Sequence, residues 1–332
     1  MRILITGASG LLGLNLALEA AGHGLSHLNQ SSAAGWQAGP ERGSTIFGVV
    51  NSHPLATDAF QVRRADLLAP GELERLLDEI QPDWVINCAA LAIVDECEAN
   101  PDLAYKLNAE FPAKLAAYVG RGGARLVHLS TDAVFDGKRG DYSEDDCPNP
   151  LSVYARSKLA GERRVADANP DAVIARVNLF GWSLRGQRSL AEWFFYNLQA
   201  GRQVMGFTDV YFCPLLVNHL GHVLLKMLAA GLSGLYHAVS SDCTSKYEFA
   251  LALAQRFGFD RGLIQPTSVR AAGLQAARSP NLSLRSDKLA HALGQPLPSI
   301  STGLEQFYTL YQQGYPQRLM RMGVGFDNTP IS

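Results

Sequence analysis

Tyr154 and Lys158 stand four residues apart in Tyr154-Ala155-Arg156-Ser157-Lys158. The run is made of good helix formers, so the two side chains share one helix face. An ammonium beside a phenol favours the tyrosinate and lowers a pKa that is ordinarily about 10. Such a phenol can give or take a proton near neutral pH. The same spacing also occurs on exposed helices with no chemistry to do, so the pair takes its meaning from its surroundings. Thr131 supplies part of them. It sits in Ser130-Thr131-Asp132, at the end of an apolar run that reads as a strand. A hydroxyl there reaches the crevice where open α/β sheets hold their ligands and can polarise a carbonyl beside the phenol. The plainer alternative is a cap or turn residue.

Gly7-Ala8-Ser9-Gly10-Leu11-Leu12-Gly13 carries three glycines spaced three and three. It lies between the strand-like Ile3–Thr6 and a Leu/Ala-rich helix from Leu11 to Ala20. In this context the first glycine makes a tight turn, the second lets backbone approach a pyrophosphate, and the third lets helix pack on sheet. The helix N-terminus then offers N–H groups to the phosphates, so Gly7, Ser9, Gly10, Leu11, Leu12 and Gly13 form a dinucleotide cradle. A short second strand is expected near Leu25–Leu28, followed by Asn29-Gln30-Ser31-Ser32. An acidic residue there would grip the ribose 2′-OH of NAD, and an arginine would attract the 2′-phosphate of NADP. Neither is present. Gln30 and Ser31 can hydrogen-bond either group, and without a repelling carboxylate the balance tips to NADP(H), with NAD(H) the alternative.

Strands and helices alternate through the first half. Strands are expected at Phe60–Asp66, Trp84–Cys88, Arg125–Ser130 and Ala172–Val177, and helices at Glu72–Ile80, Asp102–Val119 and Ser152–Ala168. Leu73, Leu76, Leu77 and Ile80 fall at i, i+3, i+4 and i+7. Residues 31–59 show no period and read as a loop or small insertion. Such alternation means βαβ units and a parallel sheet. After Phe180 the pattern changes. An aromatic helix spans Trp193–Tyr196, another helix spans His219–Ala230, and a strand covers Leu235–Val239. Ser245-Lys246-Tyr247-Glu248 is a capping box opening a helix through Phe257, and a last helix covers Thr302–Tyr311. The expected fold is α/β, a Rossmann doubly wound parallel sheet in residues 1–180 and 214–240. The rest of 181–332 forms a smaller mixed α/β substrate lobe.

The chain has 332 residues, 47% hydrophobic, with 29 basic and 31 acidic side chains for a net charge of −2. That balance speaks against a nucleic acid or an anionic membrane surface as partner. No apolar run reaches the roughly 18 residues of a membrane span, and the first strand begins at once, leaving no signal peptide. Cys88, Cys97, Cys147, Cys213 and Cys243 are odd in number and scattered, which reads as a reduced cytoplasmic chain with no metal site.

Together these residues resemble the extended short-chain dehydrogenases/reductases. Ser130-Thr131-Asp132-Ala133-Val134-Phe135-Asp136-Gly137 is similar to the STDYVFDG signature of dTDP-4-dehydrorhamnose reductases, and Asn149 to Glu162 to their P-x-N-x-YGxSKxxGE stretch. Asn87-Cys88-Ala89-Ala90 with Val94–Glu98 resembles their NxAA…VDxxE segment. Gly234–His237, Ser245–Ala250 and Arg278–Asn281 resemble later patterns. The resemblance covers nearly the whole chain. It implies hydride transfer between a nicotinamide and a sugar carbon, with Tyr154 protonating the carbonyl oxygen. Lys158 would depress the Tyr154 pKa and hold the nicotinamide ribose, and Thr131 would bond the carbonyl. It also implies Asp66 and Leu67 against the adenine, Ala89, Ala90 and Leu91 along the cofactor, and Asn108 supporting the site. For Asp66 the alternative is a helix cap; for Asn108 it is a buried polar bridge. Arg278 and Arg285 are candidate diphosphate partners, or else solvated surface arginines. The expected partner is a small sugar-nucleotide substrate, and a homodimer is compatible. The chain departs from the pattern at Ala133, Ala155 and Leu91-Ala92-Ile93, near where substrate would bind. The rival readings are an epimerase or dehydratase of the same superfamily, and a cofactor-binding regulatory subunit like the methionine adenosyltransferase β subunit.

Overall fold

Ile3 and Ile5 point to one side of their strand and Leu4 to the other, and all three are fully buried. A strand covered by helices on both faces requires this. The computed structural model describes residues 1–24, 43–186, 188–269 and 279–323. The first half runs β1 (Arg2–Thr6), α1 (Leu11–Ala20), β2 (Thr45–Val50), β3 (Gln61–Arg64), α2 (Glu72–Ile80), β4 (Trp84–Asn87), α3 (Val94–Ala99), α4 (Pro101–Tyr105), α5 (Phe111–Gly122), β5 (Arg125–Thr131), α6 (Val153–Ala168) and β6 (Val173–Val177). The second runs β7 (Leu179–Phe180), α7 (Leu190–Gln199), β8 (Val204–Phe207), β9 (Tyr211–Phe212), β10 (Leu215–Leu216), α8 (Val217–Ala229), β11 (Gly234–Ala238), β12 (Thr244–Ser245), α9 (Lys246–Phe257), β13 (Ile264–Thr267), α10 (Asp287–Leu293), α11 (Ile300–Gln312) and α12 (Tyr315–Arg321).

Seven strands form one sheet in the order β11-β6-β5-β4-β1-β2-β3, with every pairing parallel. The fold is a Rossmann-like doubly wound sheet. Chain order reverses between β1 and β4, and the crevice at their carboxyl ends is where such sheets bind ligands. On one face α2 and α5 cover Leu4, Val85 and Leu126 with Leu76, Leu77, Leu115 and Val119. On the other, α1 and α8 cover Ile3, Ile5 and Val127 with Leu14, Leu18, Val223 and Leu224.

Two corrections concern the elements. The strand beside β1 is Thr45–Val50, inside the stretch 31–59 expected to be loop; the proposed strand at Leu25–Leu28 lies outside the described residues. The single helix expected over 102–119 is divided into α4, a π turn at Lys106–Glu110, and α5. Pro112 has no N–H to give the preceding turn, and the ladder loosens just before it.

The lobe beyond β7 is organised by aromatic packing. Trp182 stacks on Phe307 at 3.9 Å and donates its indole N–H to the Phe307 carbonyl at 3.0 Å. Phe195 meets Trp182 edge-on and also packs on Phe257 and Tyr311. The capping box at Ser245 and Glu248 opens α9 as expected, and Ser189 with Glu192 opens α7 the same way. A buried polar seam joins α1 to the second half. Glu19 accepts from Asn218 at 2.8 Å and pairs with His222 at 2.9 Å. Asn15 accepts from the Tyr315 hydroxyl at 2.9 Å and donates to the Trp182 carbonyl at 2.9 Å.

The cysteines depart from expectation. Cys213 and Cys243 are joined by a disulfide, while Cys88, Cys97 and Cys147 are free. The antiparallel pairing of β9 with β12 brings the two together, a neighbourhood their spacing in the chain does not show. No helix among the described residues is long and apolar enough to cross a membrane.

Candidate active site

The glycine loop is built by close backbone approach. Gly7 has φ +66°, and a Cβ there would lie 2.9 Å from the backbone of Ala89, while one on Gly13 would lie 2.2 Å from the Gly7 oxygen. The loop at the end of β1 therefore packs directly on the turn at the end of β4, and α1 directly on the loop. Thr6 donates to Asn87 Oδ1 at 2.6 Å and accepts from the Ala89 N–H at 3.2 Å, locking the two strand ends together. Helix α1 starts at Gly10 with neither a side-chain cap nor an acidic residue in its first turn. Its N-terminal N–H groups stand ready for an anion. Ser9 and Leu11 are half-buried beside Gly10, and Leu12 is buried under them.

The Ala8 N–H donates to the Val49 carbonyl at 2.9 Å, which sets the end of β2 against the same loop. The residues that follow β2 are Asn51, Ser52 and His53. They occupy the position assigned from sequence to Gln30 and Ser31, which lie outside the described residues. No carboxylate stands among them. Ser52 Oγ and His53 Nδ1 are 3.0 Å apart, and burial together with the charges of Arg185 and Arg188 lowers the His53 pKa. After β3, Asp66 accepts from the Leu68 N–H at 3.1 Å, closing a turn, with Leu67 half-buried beside it.

Ala89, Ala90 and Leu91 line the turn after β4. Asn108 is fully buried in the π turn. Its Oδ1 accepts from the Leu91 N–H at 2.9 Å, and its Nδ2 donates to the Leu91 carbonyl and to Ser157 Oγ, both at 3.0 Å. It shapes the crevice wall from behind instead of lining it.

Thr131 ends β5. Its hydroxyl accepts from the Ala133 N–H at 3.2 Å, donates to Asp132 Oδ1 at 3.1 Å, and lies within hydrogen-bonding reach of the Tyr154 phenol. Burial pushes Tyr154 up to about 12, and the bond with Thr131 offsets part of that rise. This is the reverse of the lowering expected from Lys158. The Lys158 ammonium, 3% exposed, instead donates to the Leu129 carbonyl at 2.5 Å. Burial lowers Lys158 to about 8, against the opposing pull of Glu162 and Cys88. Thr131 and the Tyr154 phenol are thus brought together at the carboxyl end of β5, and Lys158, one turn further along α6, is held on the Leu129 carbonyl of the same strand.

Sequence reasoning passed over what lies beneath them. Glu162, one turn beyond Lys158, accepts from Ser130 Oγ at 2.5 Å and from Arg176 at 2.9 and 2.8 Å. Arg176 is fully buried on β6, with its guanidinium over the Phe135 ring at 5.0 Å. An arginine inside an apolar strand was the available signal, since a buried charge demands a partner. Asp132 accepts from Asn178 at 2.5 Å. Burial raises its pKa, while its hydrogen bonds and the charge of Lys246 on α9 oppose the rise. Of the candidate diphosphate partners, Arg278 lies outside the described residues. Arg285 is exposed and paired with Asp287 at 2.9 Å.

The family model described as the RmlD substrate binding domain matches residues 1–313. The chain belongs to that family. It is 34% identical over 269 residues to a probable low-salt glycan biosynthesis reductase of Haloferax volcanii, covering 80% of this chain and 89% of that one. It is 34% identical over 303 residues to the dTDP-4-dehydrorhamnose reductase of Mycobacterium tuberculosis, covering 89% and 88%. It is also 30% identical over 298 residues to the methionine adenosyltransferase 2 subunit beta of Danio rerio, covering 87% and 84%. Among solved RmlD-type structures, the dTDP-4-dehydrorhamnose reductase of Bacillus anthracis in complex with NADP superimposes with a TM-score of 0.75 at 26% identity, covering 92% of this chain and 98% of that one.

Proposed function

We propose that the chain is an NAD(P)H-dependent short-chain reductase of a nucleotide-activated 4-keto-6-deoxy sugar, acting as dTDP-4-dehydrorhamnose reductases do. What supports this reading is the Tyr154 phenol within reach of Thr131 at the end of β5, with Lys158 one turn along the same helix and an uncapped glycine loop at the end of β1. Residues 1–180 with 214–240 would hold the cofactor, and the rest of 181–332 the sugar nucleotide. The glycine loop suits a dinucleotide: a Cβ at Gly7 or Gly13 would fill the cradle, and the first turn of α1 carries no acidic side chain to oppose the phosphates.

A bound nicotinamide would supply the hydride. The protein's part is the proton. A phenol held at about 12 is fully protonated at neutral pH, so Tyr154 is a loaded acid. As hydride reaches the carbonyl carbon, the oxygen becomes a far stronger base than the phenolate, and Tyr154 O–H gives up its proton to it. Thr131 O–H orients the same oxygen. Lys158, charged below about pH 8 and one turn further along α6, would turn from the Leu129 carbonyl to the phenolate left behind and stabilise it. For the adenosine ribose, the absence of a carboxylate at Asn51–His53 and the nearby charges of Arg185 and Arg188 favour NADPH over NADH.

The relatives named as methionine adenosyltransferase β subunits support a second reading, a cofactor-binding regulatory subunit. One assay separates the two. The purified chain is mixed with NADPH or NADH and a dTDP-4-keto-6-deoxy sugar, and the loss of reduced-nicotinamide absorbance is followed. Turnover establishes the reductase. Tight cofactor binding with no turnover on any keto-sugar nucleotide sinks it in favour of the regulatory reading.

A further inference from the structure

The two sulfurs of the Cys213–Cys243 disulfide sit in different surroundings. Phe212 pairs with Thr244 across β9 and β12, so the cysteines form the next antiparallel pair, with Cα atoms 4.2 Å apart. Cys213 is 1% exposed. Cys243 is exposed and lines a cavity of about 560 Å³ together with Asp242, Thr244, Gln255, Arg256 and Ser301. The backbone of one residue, Leu284, serves the pair. Its N–H donates to Cys213 Sγ at 3.2 Å, and its carbonyl oxygen lies 3.6 Å from Cys213 Sγ and 4.0 Å from Cys243 Sγ.

We propose that this pair is a thiol–disulfide exchange site for a small carboxylate-bearing thiol that enters through the cavity, with Cys243 the sulfur attacked and Cys213 the one that leaves. The thiolate of the incoming molecule forms a bond to Cys243 Sγ. The Cys213–Cys243 bond breaks, and its electron pair departs on Cys213 Sγ, which takes the proton the incoming thiol released. A second thiol molecule attacks the mixed disulfide and frees Cys243 as a thiol. Two small thiols become one disulfide, and the protein gains the two electrons and two protons. Direct attack at Cys213 is closed off by burial, and exchange depends on access to the sulfur.

The surroundings serve both oxidation states. The Leu284 N–H stabilises a departing Cys213 thiolate, since hydrogen bonds to an anion favour it. The Leu284 carbonyl is placed to accept from either S–H once the pair is reduced. Arg256, ion-paired with Glu305, lines the cavity together with Asp242, so a carboxylate-bearing thiol gains this cation by taking the place of Glu305.

The bond also holds two segments in place. Cys243 precedes Ser245, the cap of α9, and Lys246 of α9 exerts its charge on Asp132. Next to Cys213, Tyr211 pairs with the chain at Pro280 and Leu282, whose neighbour Asn281 donates to the Gly137 carbonyl. Reduction therefore frees the backbone of 243–246 and 280–284 to fluctuate.

The full-length protein is equilibrated in glutathione buffers of stepped ratio, quenched in acid, alkylated and mapped by mass. The expected pattern is the Cys213–Cys243 bond intact in oxidising mixtures and both of its cysteines alkylated in reducing ones, with any glutathione trapped within the pair on Cys243 and glutathione on the exposed Cys147 counted apart. With oxidised glutathione, which releases one reduced glutathione as it reacts, Cys213→Ser should form the mixed disulfide on Cys243 roughly tenfold faster than Cys243→Ser forms it on Cys213, following access. Arg256→Ala should slow reduction by glutathione and leave reduction by β-mercaptoethanol unchanged. On reduction, hydrogen exchange should quicken in 243–246 and 280–284. Glutathione trapped on Cys213, or thiols at both positions in every mixture, overturns the proposal. The mapping uses the native chain, so its outcome decides the matter even where a variant fails to fold.

Discussion

The Ser130 hydroxyl donates to Glu162 across 2.5 Å, directly behind the crevice. It is the middle of three contacts. Tyr154, Lys158 and Glu162 recur every four residues on α6, and they meet Thr131, the Leu129 carbonyl and Ser130 on β5. The strand end that carries Thr131 is thus bound to the helix that carries the phenol and the ammonium. Their spacing is set by packing, before any ligand arrives.

Glu162→Gln should be costly for this reason. It leaves Arg176 buried without a carboxylate, and breaking a buried pair from one side costs about 3–5 kcal/mol. Ser130→Ala removes one hydrogen bond to the carboxylate paired with Arg176 and should cost less, about 1.5–3 kcal/mol. Urea unfolding of the two variants checks the order, and equal losses would contradict it.

Tyr154→Phe should lower kcat by about 10²–10⁴, the usual contribution of a positioned acid, while cofactor affinity holds. Stopped-flow turnover and a cofactor fluorescence titration separate the two. Near-normal turnover would remove Tyr154 from the acid role.

Lys158 links activity, stability and pH. Its folded pKa of about 8 lies below the 10.5 of an ordinary lysine. Between those values the unfolded chain binds a proton that the folded chain has released, so this group makes stability rise with pH there. The benefit is lost as pH falls through 8, where the folded state carries a buried ammonium. Lys158→Met should therefore unfold at higher urea than the parent at pH 7, by on the order of 1–3 kcal/mol, and the advantage should shrink toward pH 10. Its turnover should collapse, and the parent's kcat should fall above pH 8. A variant less stable at pH 7 would contradict the burial argument.

Gly13→Ala tests the cradle. The added methyl would overlap the Gly7 carbonyl, and overpacking of this kind costs about 1–3 kcal/mol. A lower melting temperature and weaker dinucleotide binding are expected together. Unchanged cofactor affinity would mean that the loop does not hold the pyrophosphate.

Cofactor choice tests the cations near His53. In Arg185→Ser/Arg188→Ser the KM for NADPH should rise roughly ten- to a hundredfold, the worth of one or two charge-assisted bonds to a phosphate. The KM for NADH should stay within about twofold, because the ribose hydroxyl carries no charge to lose. Parallel kinetics with the two cofactors read this directly, and equal changes would move the 2′-phosphate elsewhere.

Much of this was readable from local pattern. The glycine loop, the helix stripe of Leu73, Leu76, Leu77 and Ile80, and the capping box at Ser245 are each encoded within a few residues. The Tyr154–Lys158 pair and Thr131 fell where strand–helix alternation put them. What escaped reading depends on contacts between distant segments. β2 hides in a stretch without period because Thr45–Val50 is recognisable only once it lies beside β1. Under the proposed function, the place for a ribose contact then falls at Asn51–His53, after the strand paired with β1, while Gln30 and Ser31 lie outside the described residues. The Tyr154 pKa rises where a fall was expected, because the chain shows the ammonium four residues off but not the burial of the phenol. Cys213 and Cys243 are 30 positions apart and become neighbours only across the β9–β12 pairing.

The polar seam of α1 bears on how the molecule is made. Asn15 and Glu19 take as partners Asn218, His222 and Tyr315, which stand 199 to 300 positions further along the chain, so these hydrogen bonds form only when the two halves meet. Until then the first helix carries polar groups that cannot be buried without loss, and the sheet still lacks β11. Contacts this far apart along the chain slow folding. The helix that follows the glycine loop therefore reaches its final packing only together with the far half of the chain.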